Sequence, residues 1–328
     1  MSDADTYPRL VGDIGGTNAR FAMQLSAGAA ITEPHALPCR DFAGPAEAIE
    51  HYLSSTGLPR PRWAGLAIAT AISGDMLAMT NHRWHFSISG VREKLALTHL
   101  HMLNDFTAQA LAIPALGPED LTQIGPGRAE KGKSIGVLGP GTGLGVSGLI
   151  PCANGYTAIE GEGGHLTLPA FNEREAELIA LARKQFAHVS AERLLSGPGL
   201  MLLYQVIAES GGKPVEQLPA DEISRRGVAR SCPLCGEALG TFCAMLGTVA
   251  ADVALLLGAR GGIYIGGGII PRLGDYFVTS PFRARFEEKG RFSAYLAGIP
   301  TWVIDAPWPG LVGAAAALEE DARQMARF

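Results

Sequence analysis

Cysteine is scarce in this chain, with five in 328 residues. An odd, sparse set in a long chain argues against a disulfide-stapled scaffold, and the expected setting is the reducing cytoplasm. Charge of one sign is not in large excess. Lysine and arginine number 27 against 32 aspartates and glutamates, a net charge of −5. A mildly acidic chain has no general attraction for nucleic acid or an anionic membrane. Met1 to Arg9 lacks both a basic n-region and an apolar h-region, so no signal peptide is read there. Long hydrophobic runs are missing too. A stretch such as Val249 to Gly258 is broken by Asp252 and reads as too short to span a bilayer. The pattern G-x-x-x-x-G-K-[ST] does not occur, which excludes a P-loop kinase.

Apolar residues and glycine are plentiful. Hydrophobic residues make up 47% of the chain, enough for a sizeable core. The 42 glycines cluster at Gly12/Gly15/Gly16, Gly139/Gly141/Gly143/Gly145, Gly161/Gly163/Gly164 and Gly266/Gly267/Gly268. Clusters of this kind at strand ends mark turns where backbone can approach a ligand.

The periodicity predicts a strand at Leu10 to Asp13, a tight turn at Ile14 to Asn18 and a strand at Ala19 to Leu25. Pro45 to Leu53 reads as a helix, Trp63 to Thr70 as a buried strand, and Met76 to Trp84 as a second extended piece. A strand at His101 to Leu103 leads into Asn104-Asp105 and a helix over Phe106 to Ile113. The second half repeats the opening, with strand Ser134 to Leu138, glycine turn Gly139 to Gly143 and strand Leu144 to Ile150. Helices follow at Glu173 to Phe186, Gly199 to Glu209 and Gly236 to Leu257. A strand at Ile263 to Ile265 comes next, and Gly313 to Arg327 forms a helical tail. Two related α/β halves with a cleft between them are expected. The break falls within Pro114 to Gly127, and the domains are taken as 1–115 plus 306–328, and 116–305.

Each half carries a loop suited to phosphate. In Gly12-Asp13-Ile14-Gly15-Gly16-Thr17-Asn18 the glycines free backbone N–H groups for phosphate oxygens, and Asp13 can hold Mg²⁺ through water. Thr17 and Arg20 are further donors. An ordinary hairpin turn would use the same residues. Gly141-Thr142-Gly143, within Gly139 to Gly145, is the second loop. Its formal G-x-G-x-x-G match is weak, because a strand follows it and not a helix. Two phosphate hairpins, one per half, fit the actin-like ATPase architecture. Gly266-Gly267-Gly268 would lie under the adenosine in that fold, or would simply turn a strand into a helix.

Asp105 reads either as the N-cap of the helix from Phe106 or as a base that takes a hydroxyl proton. Asn104 beside it both donates and accepts, which suits adjacent sugar hydroxyls. Glu160-Gly161-Glu162-Gly163-Gly164-His165 gathers acids and a histidine around glycines; Glu162 and His165 converge on a ligand or sit in a solvated turn. Glu192, before Arg193, is a further acid or a surface helix charge.

These motifs resemble the bacterial glucokinase family. The resemblance rests on Val11 to Arg20, Met79-Thr80-Asn81-His82 with Trp84, Asn104 to Thr107, Gly141 to Gly145, Gly161 to His165, Ser190 to Arg193 with Leu195 to Gly199, and Lys289-Gly290-Arg291-Phe292. It runs in order over nearly the whole chain. It implies a two-domain actin-like (ribonuclease H-like) ATPase fold with an interdomain cleft, and a cytoplasmic homodimer. It also implies transfer of the γ-phosphoryl of Mg-ATP to the 6-hydroxyl of glucose. By the same resemblance Asp105 is the base, and Asn104, Glu162, His165 and Glu192 bind glucose. Asp13 with the two hairpin loops holds Mg-ATP.

Cys232-Pro233-Leu234-Cys235, with Cys243 beyond, offers too few ligands for a structural zinc, so no zinc is expected. A sugar-responsive transcription factor on this scaffold needs a DNA-binding domain, and only about ten residues precede the first loop. A non-sugar actin-like ATPase has no use for the Asn104, Glu162, His165 and Glu192 set.

Overall fold

The computed structural model describes residues 3–79, 82–153 and 155–326. Its contacts separate into two compact units, Met1–Leu116 with Ala306–Phe328, and Gly117–Asp305.

Unit 1 is built on a five-stranded sheet formed by β1 (Arg9–Ile14), β2 (Asn18–Gln24), β3 (Thr32–Pro38), β4 (Trp63–Ile68) and β7 (His99–Asn104). A short separate hairpin pairs β5 (Met76–Ala78) with β6 (His85–Ser87). The order is β3-β2-β1-β4-β7. β1 pairs antiparallel with β2, while β1, β4 and β7 run parallel. β4 is buried at every position, as expected of a strand covered on both faces. Leu10, Ile14, Phe21, Tyr52 and Trp84 form the core on one face. The helix Pro309–Met325 packs Leu311, Ala314 and Leu318 against Val11 and Trp63 on the other. It comes close enough that a Cβ on Gly65 would lie 2.7 Å from the Ala314 carbonyl oxygen.

Unit 2 repeats this plan with one added strand. β8 (Leu121–Ile124), β9 (Ile135–Pro140), β10 (Leu144–Cys152), β11 (Gly155–Ile159), β12 (Ile263–Ile265) and β13 (Thr301–Ile304) lie in the order β11-β10-β9-β12-β13-β8. β9 pairs antiparallel with β10 and parallel with β12, and β12 pairs parallel with β13. The first five strands of each unit therefore share one order and one set of directions. Helices Gly197–Ser210 and Pro233–Leu257 form the core beside this sheet.

Two sequence readings change. Met76 to Trp84 is not one extended piece, because only Met76–Ala78 is strand and its partner begins at His85. The helix read from Gly236 begins at Pro233, and at 25 residues it is long and apolar enough to cross a membrane by length and composition. Gly236, Gly240, Gly247 and Asp252 disguise that length in the sequence. The helix is mostly buried within unit 2, where Phe242, Met245, Leu246 and Val249 line the core.

Candidate active site

In unit 1 the three parallel strands end along one line, since Ile14 is opposite Ile68 and Ile68 is opposite Asn104. Functional groups collect at the carboxyl ends of parallel strands in α/β sheets. Two strand spacings, about 10 Å, separate the end of β1 from the end of β7. Asp13 is the next-to-last residue of β1, and Asp105 follows the last residue of β7.

The β1–β2 turn is closed by the Gly15 N–H, which donates to the Asn18 carbonyl at 3.0 Å. Gly16 and Thr17 are left at its tip, with Thr17 exposed. Gly12 is different. It is buried within β1, where a Cβ would lie 2.6 Å from Leu66 Cδ2 and 3.0 Å from Phe21 Cδ1. Packing accounts for that glycine.

The Asp13 side chain is 24% exposed, and its Oδ2 accepts from Arg20 Nη1 at 3.4 Å. Burial pushes its carboxyl above the ordinary aspartate range, and the Arg20 guanidinium pulls the other way. Behind it lies the start of the Pro309–Met325 helix. A Cβ on Gly310 would come 2.8 Å from Asp13 Cγ, so only glycine lets that N-terminus approach the carboxyl. A helix N-terminus favours negative charge. Arg20 also stacks over Trp308, 5.6 Å from the ring centroid. This backing was missed in the sequence; Trp308-Pro309-Gly310 marks it, with proline at the first helical position.

The sequence offered Asp105 as the possible N-cap of the next helix. The cap is Asn104, whose Oδ1 accepts from Phe106 N at 2.9 Å and Thr107 N at 3.3 Å. Its Nδ2 donates to the Thr70 carbonyl at 3.4 Å. Asp105 is the first helical residue, half-buried, and its Oδ1 accepts from Phe106 N at 2.9 Å. Helix Asp105–Ala112 is then held from behind by Gly313, which sits against the Ala108 carbonyl. Asp105 thus stands one residue past the cap, just beyond the edge that Asp13 approaches from β1.

In unit 2 the β9–β10 turn spans Gly141-Thr142-Gly143 and closes with Gly141 N–H on the Gly143 carbonyl at 2.8 Å. Helix Gly197–Ser210 begins against it, with Gly197 N–H donating to the Gly141 carbonyl at 2.8 Å. The Gly266 triplet lies beside the same turn. Gly266 N donates to the Leu138 carbonyl at 2.9 Å and Ile269 N to the Pro140 carbonyl at 3.2 Å. Gly267 takes a φ of +80° and packs on the Pro140 carbonyl, where a side chain would be both strained and blocked. Gly268 is exposed and open, with Gly141 beside its amide nitrogen. The Gly141 to Gly143 and Gly266 to Gly268 loops of unit 2 therefore lie side by side.

Leu144, just past the turn, is the hub of the remaining residues. Its N–H donates to Glu192 Oε2 at 2.8 Å, and its carbonyl is covered by Gly164. The segment carrying Glu162 and His165 is tied to the segment carrying Glu192 by Ala191 N–H on the Leu166 carbonyl, 2.8 Å, and Leu168 N–H on the Val189 carbonyl, 3.1 Å. Glu162, His165 and Glu192 are so gathered at one place. His165 Nε2 is 4.0 Å from Glu162 Oε2, both largely exposed. Glu192 is half-buried and already engaged with the loop backbone, which its reading as a surface helix charge did not foresee.

Thr80 and Asn81 lie outside the described residues. Trp84 from the same motif is buried and donates Nε1–H to the Phe42 carbonyl at 3.0 Å. Cys232 precedes the helix that holds Cys235 and Cys243. Cys243 lies about 12 Å along that helix from Cys235, too far for both to ligate one ion.

A family model described as glucokinase matches residues 10–321. The glucokinase of Aromatoleum aromaticum is 56% identical over 317 residues, covering 96% of each chain. A crystal structure of a glucokinase from an Antarctic psychrotroph superposes with a TM-score of 0.86 at 38% identity, covering 98% of this chain and all of that one. At 19% identity, a ROK family glucokinase from Streptomyces griseus, solved with glucose and AMPPNP, shares the fold with a TM-score of 0.65 over 95% of this chain and 99% of its own. Motif order, the duplicated sheet and these likenesses agree: the chain belongs to the glucokinase family.

Proposed function

We propose that the chain transfers the γ-phosphoryl of ATP to the 6-hydroxyl of glucose, yielding glucose 6-phosphate and ADP, with Asp105 as general base. The observation that carries this reading is the shared edge of unit 1. Two carboxylates of different surroundings belong to it: Asp13 near the end of β1, backed by a helix N-terminus, and Asp105 just past β7, one residue after the Asn104 cap. One suits a metal-bound phosphate and the other a hydroxyl. The 6-hydroxyl proton passes to an Asp105 carboxylate oxygen as the hydroxyl oxygen attacks phosphorus and the bond to ADP breaks.

The residues present fit Mg²⁺. Asp13 is a hard oxygen donor at a strand end beside a glycine turn, and Mg²⁺ takes one or two carboxylates together with phosphate oxygens. Bound there, Mg²⁺ would neutralise charge developing on the transferred group. Gly15, Gly16, Thr17 and Asn18 cradle phosphate from unit 1. Gly141, Thr142 and Gly143 do so from unit 2, with the Gly266 to Gly268 turn under the nucleoside. Asn104, Glu162, His165 and Glu192 take the sugar hydroxyls. The two-domain actin-like reading of the sequence belongs to this proposal. So does a cytoplasmic homodimer without nucleic-acid or membrane partners, which rests on the family resemblance.

A coupled assay of purified protein with Mg-ATP and a small sugar panel tests the reading. Strong preference for glucose is expected, and fructose used equally well would refute the sugar assignment.

A further inference from the structure

A polar cluster lies at the far end of β7 from Asn104. His99 and His101 stand two apart on the strand, which points both side chains to one face. Across from them, Asp321 projects from the helix Pro309–Met325. Its Oδ2 lies 2.7 Å from His99 Nε2 and 2.7 Å from His101 Nδ1. The three donor atoms fall within 4.8 Å of one another, and no other such His/Cys/Asp/Glu group of three occurs among the described residues. His99 is 23% exposed, His101 31% and Asp321 17%, so an ion can reach them. The Trp63 ring lies tilted against the His99 ring, centroids 4.5 Å apart, and limits its rotation.

We propose that His99, His101 and Asp321 form a binding site for a zinc-class divalent ion. Two imidazoles and a carboxylate suit Zn²⁺ or Co²⁺ and suit Mg²⁺ and Ca²⁺ poorly. Three protein ligands leave a fourth position for water. Bonds of about 2.0–2.1 Å in tetrahedral geometry put donor atoms roughly 3.3 Å apart, so the carboxylate need withdraw by only about 0.6 Å. Each coordinating nitrogen presents its lone pair, with the ring proton on the other nitrogen. The sequence reading expected no zinc because it weighed only the cysteines; Asp321 lies 220 positions from His101 and carries no motif. The ion would join β7, which ends at Asn104, to the helix that begins behind Asp13. It therefore acts as a clamp between the two elements that place those residues.

Full-length protein stripped with EDTA and titrated with Zn²⁺ by calorimetry, in the absence of ATP, tests the site. One ion per chain is expected, with a visible ligand-field band when Co²⁺ is used and a rise in melting temperature on loading. His99→Gln/His101→Gln and, separately, Asp321→Asn should each weaken binding at least about tenfold and remove the rise. Cys232→Ser/Cys235→Ser should leave both unchanged. Should Asp321→Asn fail to fold, the histidine variant decides. Equal binding by wild type and the histidine variant, or loss only in the cysteine variant, overturns the proposal.

Discussion

Replacing Asp105 by Asn separates chemistry from structure at one atom. Because Asn104 caps the helix through Phe106 N and Thr107 N, the substitution leaves the cap in place. The Phe106 N–H on Asp105 Oδ1, 2.9 Å, can pass to the amide oxygen of asparagine. Stability should therefore fall by much less than the roughly 1 kcal/mol of a lost cap. The amide cannot take a proton, and loss of a general base costs about 10²–10⁴-fold in rate. That is roughly 3–5 kcal/mol of transition-state stabilisation. The expected variant melts within about a degree of wild type, binds glucose with similar affinity and turns over at 1% of wild type or less. Steady-state kcat from a coupled assay, with circular-dichroism melting on the same preparation, measures both. Near-wild-type kcat would refute the base assignment. A collapse in melting temperature would refute the separation of capping from catalysis.

Asn104→Ala should lose the cap and the Thr70 contact, about 1 kcal/mol, lowering the melting temperature by a few degrees, and should also raise KM for glucose. Gly313→Ala should destabilise by about 1–3 kcal/mol in denaturant unfolding, since its methyl group would enter the Ala108 carbonyl. EDTA should stop turnover and added Mg²⁺ restore it, as followed in the coupled assay, because the phosphoryl charge needs a cation. Glu192→Ala should raise KM for both glucose and ATP, because it leaves the Leu144 N–H beside the phosphate turn unpaired. Glu192→Gln, whose amide oxygen can still accept that bond, should raise KM for glucose alone. Unchanged constants in both variants would return Glu192 to a surface charge.

The hairpins carrying the two loops were legible because glycine turns interrupt short apolar runs in both halves. Asp13, Asn104 and Asp105 stood out because they end those runs. What stayed hidden was tertiary. β3 is largely exposed along its length, so no apolar alternation announces it. β8 and β13 are four-residue strands with no turn signature of their own. Gly310 behind Asp13, Gly164 over Leu144 and Asp321 opposite two histidines matter only through contacts distant in sequence. The cap moved by one residue because Asn and Asp satisfy the same helix N–H groups, and only dihedral angles distinguish them: Asn104 is extended, with φ −63° and ψ 147°.

The duplication also sets the acids of the two units side by side for comparison. β1 and β9 occupy equivalent places, and the residue before each strand's last is Asp13 in one and Gly139 in the other. Gly139 carries no carboxylate because the Gly266 backbone fills the space a side chain would need. β7 and β13 are equivalent too, and each is followed by an aspartate. Asp305 is engaged structurally, since its Oδ2 accepts from Thr122 Oγ1 at 2.6 Å and its N–H donates to the Asp120 carbonyl at 2.8 Å. Both bonds hold the added strand β8, which unit 1 lacks. Asp105 opens a helix that another residue caps. One fold thus sets out the same acid positions twice; unit 2 fills one with backbone and binds the other to an extra strand. Unit 1 keeps both at its strand ends, as the proposed transfer from a phosphoryl donor to a hydroxyl acceptor requires.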